Sequence, residues 1–239
     1  MTSIALRHKQ KCLEAHATKQ AGEVEQETAP QTATAVQSSS PVSSAKSKHQ
    51  QEVALTELQN DLERLSDLED VADKVALKKN ELLPKYLPIV QAYRDSGADY
   101  PNELLVRVVI WLIDAEDIET AVELAGFAIA QQQHMPGNFK RDLPTYVVEE
   151  ITAWSERQYK AKASASPYLD DVAKLVMADF WIVNQPIVLN KLYKLLGLYA
   201  ECDNQEEQAL AWFEKCEEVN PDKSGVKTKI KVLKAKLNQ

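Results

Sequence analysis

The sequence is short of the features that mark membrane-spanning, secreted and most catalytic proteins. No apolar run approaches the roughly 20 residues needed to cross a bilayer. The opening MTSIALRHKQK has no apolar block of signal-peptide length ahead of a small-residue cleavage site. Both absences point to a cytoplasmic chain. Its three cysteines, Cys12, Cys202 and Cys216, form no Cys-x-x-Cys. An odd count in a reducing compartment means free thiols, which excludes a disulfide framework and a structural zinc site. Six glycines are few for a sheet protein, and no stretch sustains period-two alternation. The expected fold class is all-α.

Histidine is scarce as well. Three of the four, His8, His16 and His49, lie in or beside the N-terminal region, which leaves His134 alone. The acid pairs Glu149-Glu150 and Asp170-Asp171 fall on helical patterns, where adjacent residues point about 100° apart, and read as solvated faces. There is no glycine-rich phosphate loop, nucleophile elbow or His-Glu-x-x-His. The expectation is no catalytic residue, no metal ligand set and no cofactor.

Charge is unevenly spread. Residues 1–47 hold five Lys/Arg and four Asp/Glu, residues 48–222 hold seventeen and thirty-two, and residues 223–239 hold six lysines and no acid. An acidic body thus ends in a basic tail, and a polyanion would have to be met by that tail or by local patches.

Four segments follow. Residues 1–47 are a basic N-terminal arm, with Arg7, Lys9 and Lys11, joined to a Thr/Ser/Ala/Gln linker from about 21 that holds too few large apolar residues to offset the entropy of ordering it. Residues 48–80 form one long helix. Its Leu55, Leu58, Leu62 and Leu65 have the 3-4-3 spacing of a coiled-coil seam, so this stretch is the candidate for self-association, although an amphipathic helix on the chain's own core gives the same pattern.

Residues 81–222 are a domain of helical hairpins. The chain turns at Pro84 and runs as a helix to Gly97. Helices at about 102–114 and 118–132 follow, the first apolar nearly all round and the second capped by Asp117, with Ala121, Leu124, Ala125 and Ala128 on one face. In KLYKLLGLYAECDNQEEQALAWFEKCEEVNP, Leu196, Gly197, Ala209, Phe213, Cys216 and Pro221 fall where a tetratricopeptide repeat places its signature residues. Gly197 and Ala209 allow two antiparallel helices to approach closely, and Phe213 fills the gap. The last segment, 223–239, is a helix with Val226, Ile230, Leu233 and Leu237 on one face and Lys227, Lys229, Lys231, Lys234 and Lys236 over the rest.

The stretch HMPGNFKRDLPTY, 134–146, joins two helices. Met135-Pro136-Gly137 stops one, Pro144 starts the next where its missing N–H costs little, and Lys140-Arg141 is left exposed at the turn. It is explained as a connector, and its basic pair within an acidic segment also makes it a candidate binding loop.

The opening MTSIALRH and the ordered runs LLPKYLPIV, VVIWLIDAEDIETAVELAGFAI and MPGNFKRDLPTYVVEEI closely resemble the small terminase subunit of temperate contractile-tailed phages, a family labelled the terminase endonuclease subunit. The similarity covers most of 1–222 apart from the linker. The resemblance implies a phage- or prophage-encoded protein in the bacterial cytoplasm that forms an oligomer. It also implies recognition of the cohesive-end region of concatemeric double-stranded DNA and its presentation to the large ATPase and nuclease subunit. It maps the family's basic Met-Pro-Gly loop onto Lys140 and Arg141, and its Arg-His near the start onto Arg7 and His8. Expected DNA contacts are therefore Lys140, Arg141, Lys227, Lys229, Lys231, Lys234, Lys236, Arg7, Lys9 and Lys11. Two rival readings remain: a repeat-like adaptor that docks only a protein, and a metal nuclease.

Overall fold

The computed structural model describes residues 56–137 and 139–237. Arg7, His8, Lys9, Lys11, Leu55 and the 21–47 linker lie outside the described residues. Those described are helical, with no strand among them.

Helix α1 occupies 56–67 and stops at Leu68. The expected single long helix over 48–80 is therefore two. Asp70 takes an extended conformation and its carboxylate accepts the Ala72 N–H at 2.6 Å, capping a new helix, α2, at Val71–Leu77. The break lets α1 fold back. Asp61 on α1 meets Lys85 Nζ at 2.9 Å, whereas 24 residues of unbroken helix would hold the two roughly 36 Å apart. Leu58 and Leu65, expected in an intermolecular seam, are buried in the chain's own core, and Leu62 packs half-buried against it.

No turn forms at Pro84. After α2 the helix widens into one π-helical stretch, Lys78–Leu82, and continues directly as α3, Leu83–Asp95. The Leu83 N–H reaches back to the Lys78 carbonyl, five residues away. This extra residue in the turn accommodates a proline ring that would otherwise press on the carbonyl four residues before it. Helix α3 ends at a left-handed Gly97, as expected.

Asp61 fastens this part together. Its carboxylate, 5% exposed, accepts from Lys85, from Arg64 at 2.9 Å and from the Tyr86 hydroxyl at 2.8 Å. Burial pushes its pKa up, but the hydrogen bonds from Lys85, Tyr86 and Arg64 outweigh this and hold it below the usual carboxylate value. Asp61→Asn should therefore cost about 1–3 kcal/mol, because the fully buried Tyr86 and two cations lose an ionised acceptor while both cations stay partly hydrated. The depressed pKa fixes the sign of the pH effect. The contribution is complete above the unfolded value of about 4 and is lost as pH falls through the folded value. Urea unfolding at pH 7 and pH 3 checks it, since the gap between the two proteins should shrink in acid.

The central pair is α4, Glu103–Asp114, and α5, Ile118–Ala130. Helix α4 is capped by Asn102 and buried along nearly its whole length from Leu104 to Ile113. Helix α5 is capped by Asp117, whose side chain accepts the Thr120 N–H, and it buries Ala121, Leu124, Ala125 and Ala128. Gln131 and Gln133 at its end tie down the Gly97–Asn102 connection. Gln131 Nε2 donates to the Ala98 carbonyl at 2.7 Å, and Gln133 bonds both the Tyr100 carbonyl and the Asn102 N–H.

Helix α6, Leu143–Lys160, leads through α7, Tyr168–Met177, to the hairpin of α8, Pro186–Cys202, and α9, Glu206–Val219. This hairpin is the most extensive helix pair among the described residues. The Phe213 ring is fully buried and lies on Gly197, where an added Cβ would sit 2.4 Å from Cε1. Helix α10, Lys227–Leu237, closes the end, with Val226 and Leu233 buried, Ile230 half-buried and Leu237 38% exposed.

Candidate nucleic-acid interface

The 131–142 connector is positioned from both sides. Helix α5 is closed by Gln132 in the left-handed region, with the Gln133 N–H on the Ala128 carbonyl at 3.0 Å, so the chain leaves the helix before the Met-Pro-Gly turn expected to stop it. On the far side Asp142 caps α6 by accepting the Thr145 N–H at 2.9 Å, with Pro144 in the first turn. Pro136 is buried, while His134, Phe139 and Lys140 are exposed.

The basic pair expected at this turn divides into two roles. Arg141 turns inward: it pairs with Glu149 on α6 and donates to Gln185 Oε1, just before α8, at 2.5 Å. It is a clamp that anchors the connector to two helices. Lys140 beside it is exposed and makes no ion pair among the described residues. The acid pairs are not solvated faces. Glu149 is taken up by Arg141 and Lys191, and Glu150 is half-buried with its pKa pushed up by burial and by Asp114 and Glu149 nearby. Asp171 is fully buried and accepts from Lys174 at 3.0 Å.

Most of the C-terminal lysines are also engaged. Lys227 pairs with Glu217 at 3.3 Å, Lys229 with Glu201 at 2.5 Å, Lys234 with Glu214 at 2.7 Å, and Lys236 with Glu206. Helix α10 is thus seated on the acidic face of the α8–α9 hairpin through four ion pairs as well as its apolar stripe. Lys231 is exposed and makes none of these pairs. Each pair is at least partly solvated, so each is worth roughly 0–1 kcal/mol and can be exchanged for another anion.

Segments distant in the chain meet in a cleft that no single stretch of sequence reveals. Helices α1, α2 and α4, the π-helical stretch, the 131–142 connector and the start of α6 line an open cleft of about 440 Å³, among them Lys74, Lys78, Arg107, Trp111, Phe139 and Tyr146. Lys78 is held by Asp114 at 2.7 Å and Arg107 by Glu103 at 2.7 Å, whereas Lys74 makes no ion pair among the described residues. The Phe139 ring stands edge-on to Tyr146, centroids 5.5 Å apart. Burial and the nearby Asp114 and Glu150 carboxylates push the Tyr146 hydroxyl pKa up, so it stays protonated. Among the described residues no three His, Cys, Asp or Glu side chains gather closely enough to hold a metal ion. No described helix is long and apolar enough to cross a membrane.

Comparison with known proteins adds the following. No solved structure matches the chain. It is 36% identical over 154 residues to the "Probable terminase, endonuclease subunit" of Haemophilus phage HP1 (strain HP1c1), an alignment covering 64% of this chain and 54% of that protein. It is 30% identical over 162 residues to the "Terminase, endonuclease subunit" of Escherichia phage P2, covering 68% of this chain and 64% of that protein. The chain therefore spans little more than half of the first relative's length and under two thirds of the second's. The family described as phage small terminase subunit matches residues 55–181, from α1 through the connector and α6 to the end of α7, and the chain belongs to that family.

Proposed function

We propose that the chain is the DNA-recognition subunit of a phage packaging terminase. It binds the cohesive-end region of concatemeric viral DNA and presents it to a large subunit that carries the ATPase and nuclease. Family membership supports the packaging role. The observation that carries the DNA contact is Lys140, an exposed cation with no ion pair among the described residues, on a connector clamped by Arg141. Lys231 is its counterpart on α10. Lys227, Lys229, Lys234 and Lys236 join only by exchanging their glutamates for phosphates, and Arg7, Lys9 and Lys11 are assigned to the same role by the resemblance alone.

A packaging subunit also needs protein neighbours. Leu58 and Leu65 are already covered, so that role falls to Met177, Phe180, Ile182 and Ile187, exposed apolar side chains close together in sequence around the α7–α8 connection. The Gly197–Phe213 contact supports a tetratricopeptide-like packing of α8 and α9 as the scaffold for both surfaces.

The test is competitive binding of the full chain to duplex DNA with and without a cohesive-end sequence. Preference for the site is expected. Lys140→Glu should weaken binding to all sequences and flatten the salt slope by about 1, the signature of a lost phosphate contact. Unchanged binding by that variant would remove the connector from the interface.

A further inference from the structure

The cleft beneath the connector is chemically unlike the rest of the body. Residues 48–222 carry thirty-two acids against seventeen bases, yet its lining holds Lys74, Lys78 and Arg107 with one acid, Asp114, and one further carboxylate, Glu103, beside Arg107. Helix α2 supplies Lys74, its π-helical continuation Lys78 and helix α4 Arg107, so two helical segments distant in the chain converge their cations on one space. Lys74 is the one without an ion-pair partner among the described residues, and it is half-buried, which raises its attraction for an anion above that of a fully hydrated lysine.

The second element is aromatic. Phe139 is 44% exposed at the rim, and its edge-on packing against Tyr146 holds the ring in place while leaving it open to solvent. Trp111 closes the floor and is 3% exposed. An exposed ring beside a small cluster of cations is the arrangement that stacks one base and neutralises its phosphate. The volume of about 440 Å³ lies within the range that encloses a ligand of nucleotide size. A duplex cannot use it, because its bases are stacked on each other and its width far exceeds the opening. An acidic peptide would use the cations and leave the ring uncovered.

We propose that this cleft binds single-stranded DNA, taking one unpaired nucleotide with its base on Phe139 and its phosphate on Lys74, with Arg107 joining by exchanging Glu103 for the phosphate. Lys78 remains with Asp114 and fixes the wall. The proposal rests on the reading that the chain acts on DNA and extends it to the unpaired strand, as a site separate from the duplex contacts of Lys140 and Lys231.

The experiment uses the full chain and three fluorescent probes of equal length: an oligothymidylate, the same strand with abasic sites, and a duplex. The oligothymidylate should bind more tightly than the abasic strand. Phe139→Ala should weaken oligothymidylate binding roughly ten-fold, the scale of one base–aromatic stack, and leave duplex binding unchanged. Phe139→Trp should retain binding, and the fluorescence of the new indole should be quenched when the strand is added. Lys74→Ala should flatten the single-strand salt slope by about 0.7. Equal binding of abasic and intact strands, or no effect of Phe139→Ala, overturns the inference. Duplex binding with no single-strand binding overturns this inference alone, whereas binding of neither overturns the proposed function with it. Phe139 and Lys74 lie outside the buried core, so thermal unfolding matching the parent protein verifies that each variant is folded.

Discussion

Gly197→Ala should destabilise the protein by about 2–3 kcal/mol. The new methyl group would lie 2.4, 2.7 and 2.9 Å from three atoms of the Phe213 ring, closer than any carbon contact tolerates. That ring cannot swing away, since it is fully buried between α8 and α9 and its face is also met by Lys229 Nζ at 5.5 Å from the centroid. The helices must therefore separate, or the ring must leave its rotamer. For a chain of this size the expected loss in Tm is about 5–10 °C. A double-mutant cycle separates contact from propensity. Phe213→Ala alone should cost about 3–5 kcal/mol by leaving a cavity, and in that background Gly197→Ala should cost little or become favourable, because alanine is the better helix former. Additive costs, or a Gly197→Ala variant within about 0.5 kcal/mol of the parent, would show that the close approach of α8 and α9 is not the constraint described.

The second large effect concerns the lysine helix. Changing Glu201, Glu206, Glu214 and Glu217 together to glutamine should tighten duplex DNA binding about ten-fold at low salt and steepen its salt dependence. In the parent chain these carboxylates already neutralise Lys236, Lys234, Lys229 and Lys227, so DNA must displace them before counterions are released. With the glutamates gone, α10 should stay docked through Val226 and Leu233 while its lysines become available to phosphate. A quadruple variant that binds DNA like the parent would mean that the lysines serve only to seat α10 on the hairpin.

What the sequence makes legible is local. Helices α4 and α5 could be placed because their apolar periodicity is unbroken and Asp117 caps the second. The Gly197–Phe213 contact was readable because a small residue and an aromatic sit at the spacing that brings them face to face across a hairpin. The break before α2 was not, since Leu68, Ala72 and Val75 sustain a helical pattern through it and one carboxylate, that of Asp70, decides it. Helix ends were also hidden. Glu116, Gln132, Lys162, Asp179 and Asn204 all take the left-handed conformation that usually announces itself as glycine, and four of the five are not asparagine either.

The site was less legible than the fold, for a related reason. Sequence shows that Arg141 and the C-terminal lysines are basic, but their partners lie on other helices. Glu149 reaches Arg141 from α6, and Glu201 and Glu206 lie 28 and 30 residues before the lysines they meet. The cleft has the same origin. Lys74, Arg107 and Phe139 come from three segments that only the fold-back of α1 and the clamp on the connector bring together. Lys140 was identified correctly as exposed because its environment is set by the turn itself.

The central claim, that this chain recognises duplex DNA for packaging, is tested most directly by a salt-titrated binding assay. The purified full chain, with magnesium present, is titrated against duplexes with and without a cohesive-end sequence, and the DNA is then examined for nicks. The predicted result is site-preferring binding without strand cleavage. Its log–log salt slope should lie between about -2, if Lys140 and Lys231 act alone, and about -5, if the four α10 ion pairs also open onto phosphate. No binding at low salt, or a slope near zero, would contradict the account and favour a subunit that docks only protein. Nicking by the purified chain would contradict a role confined to recognition.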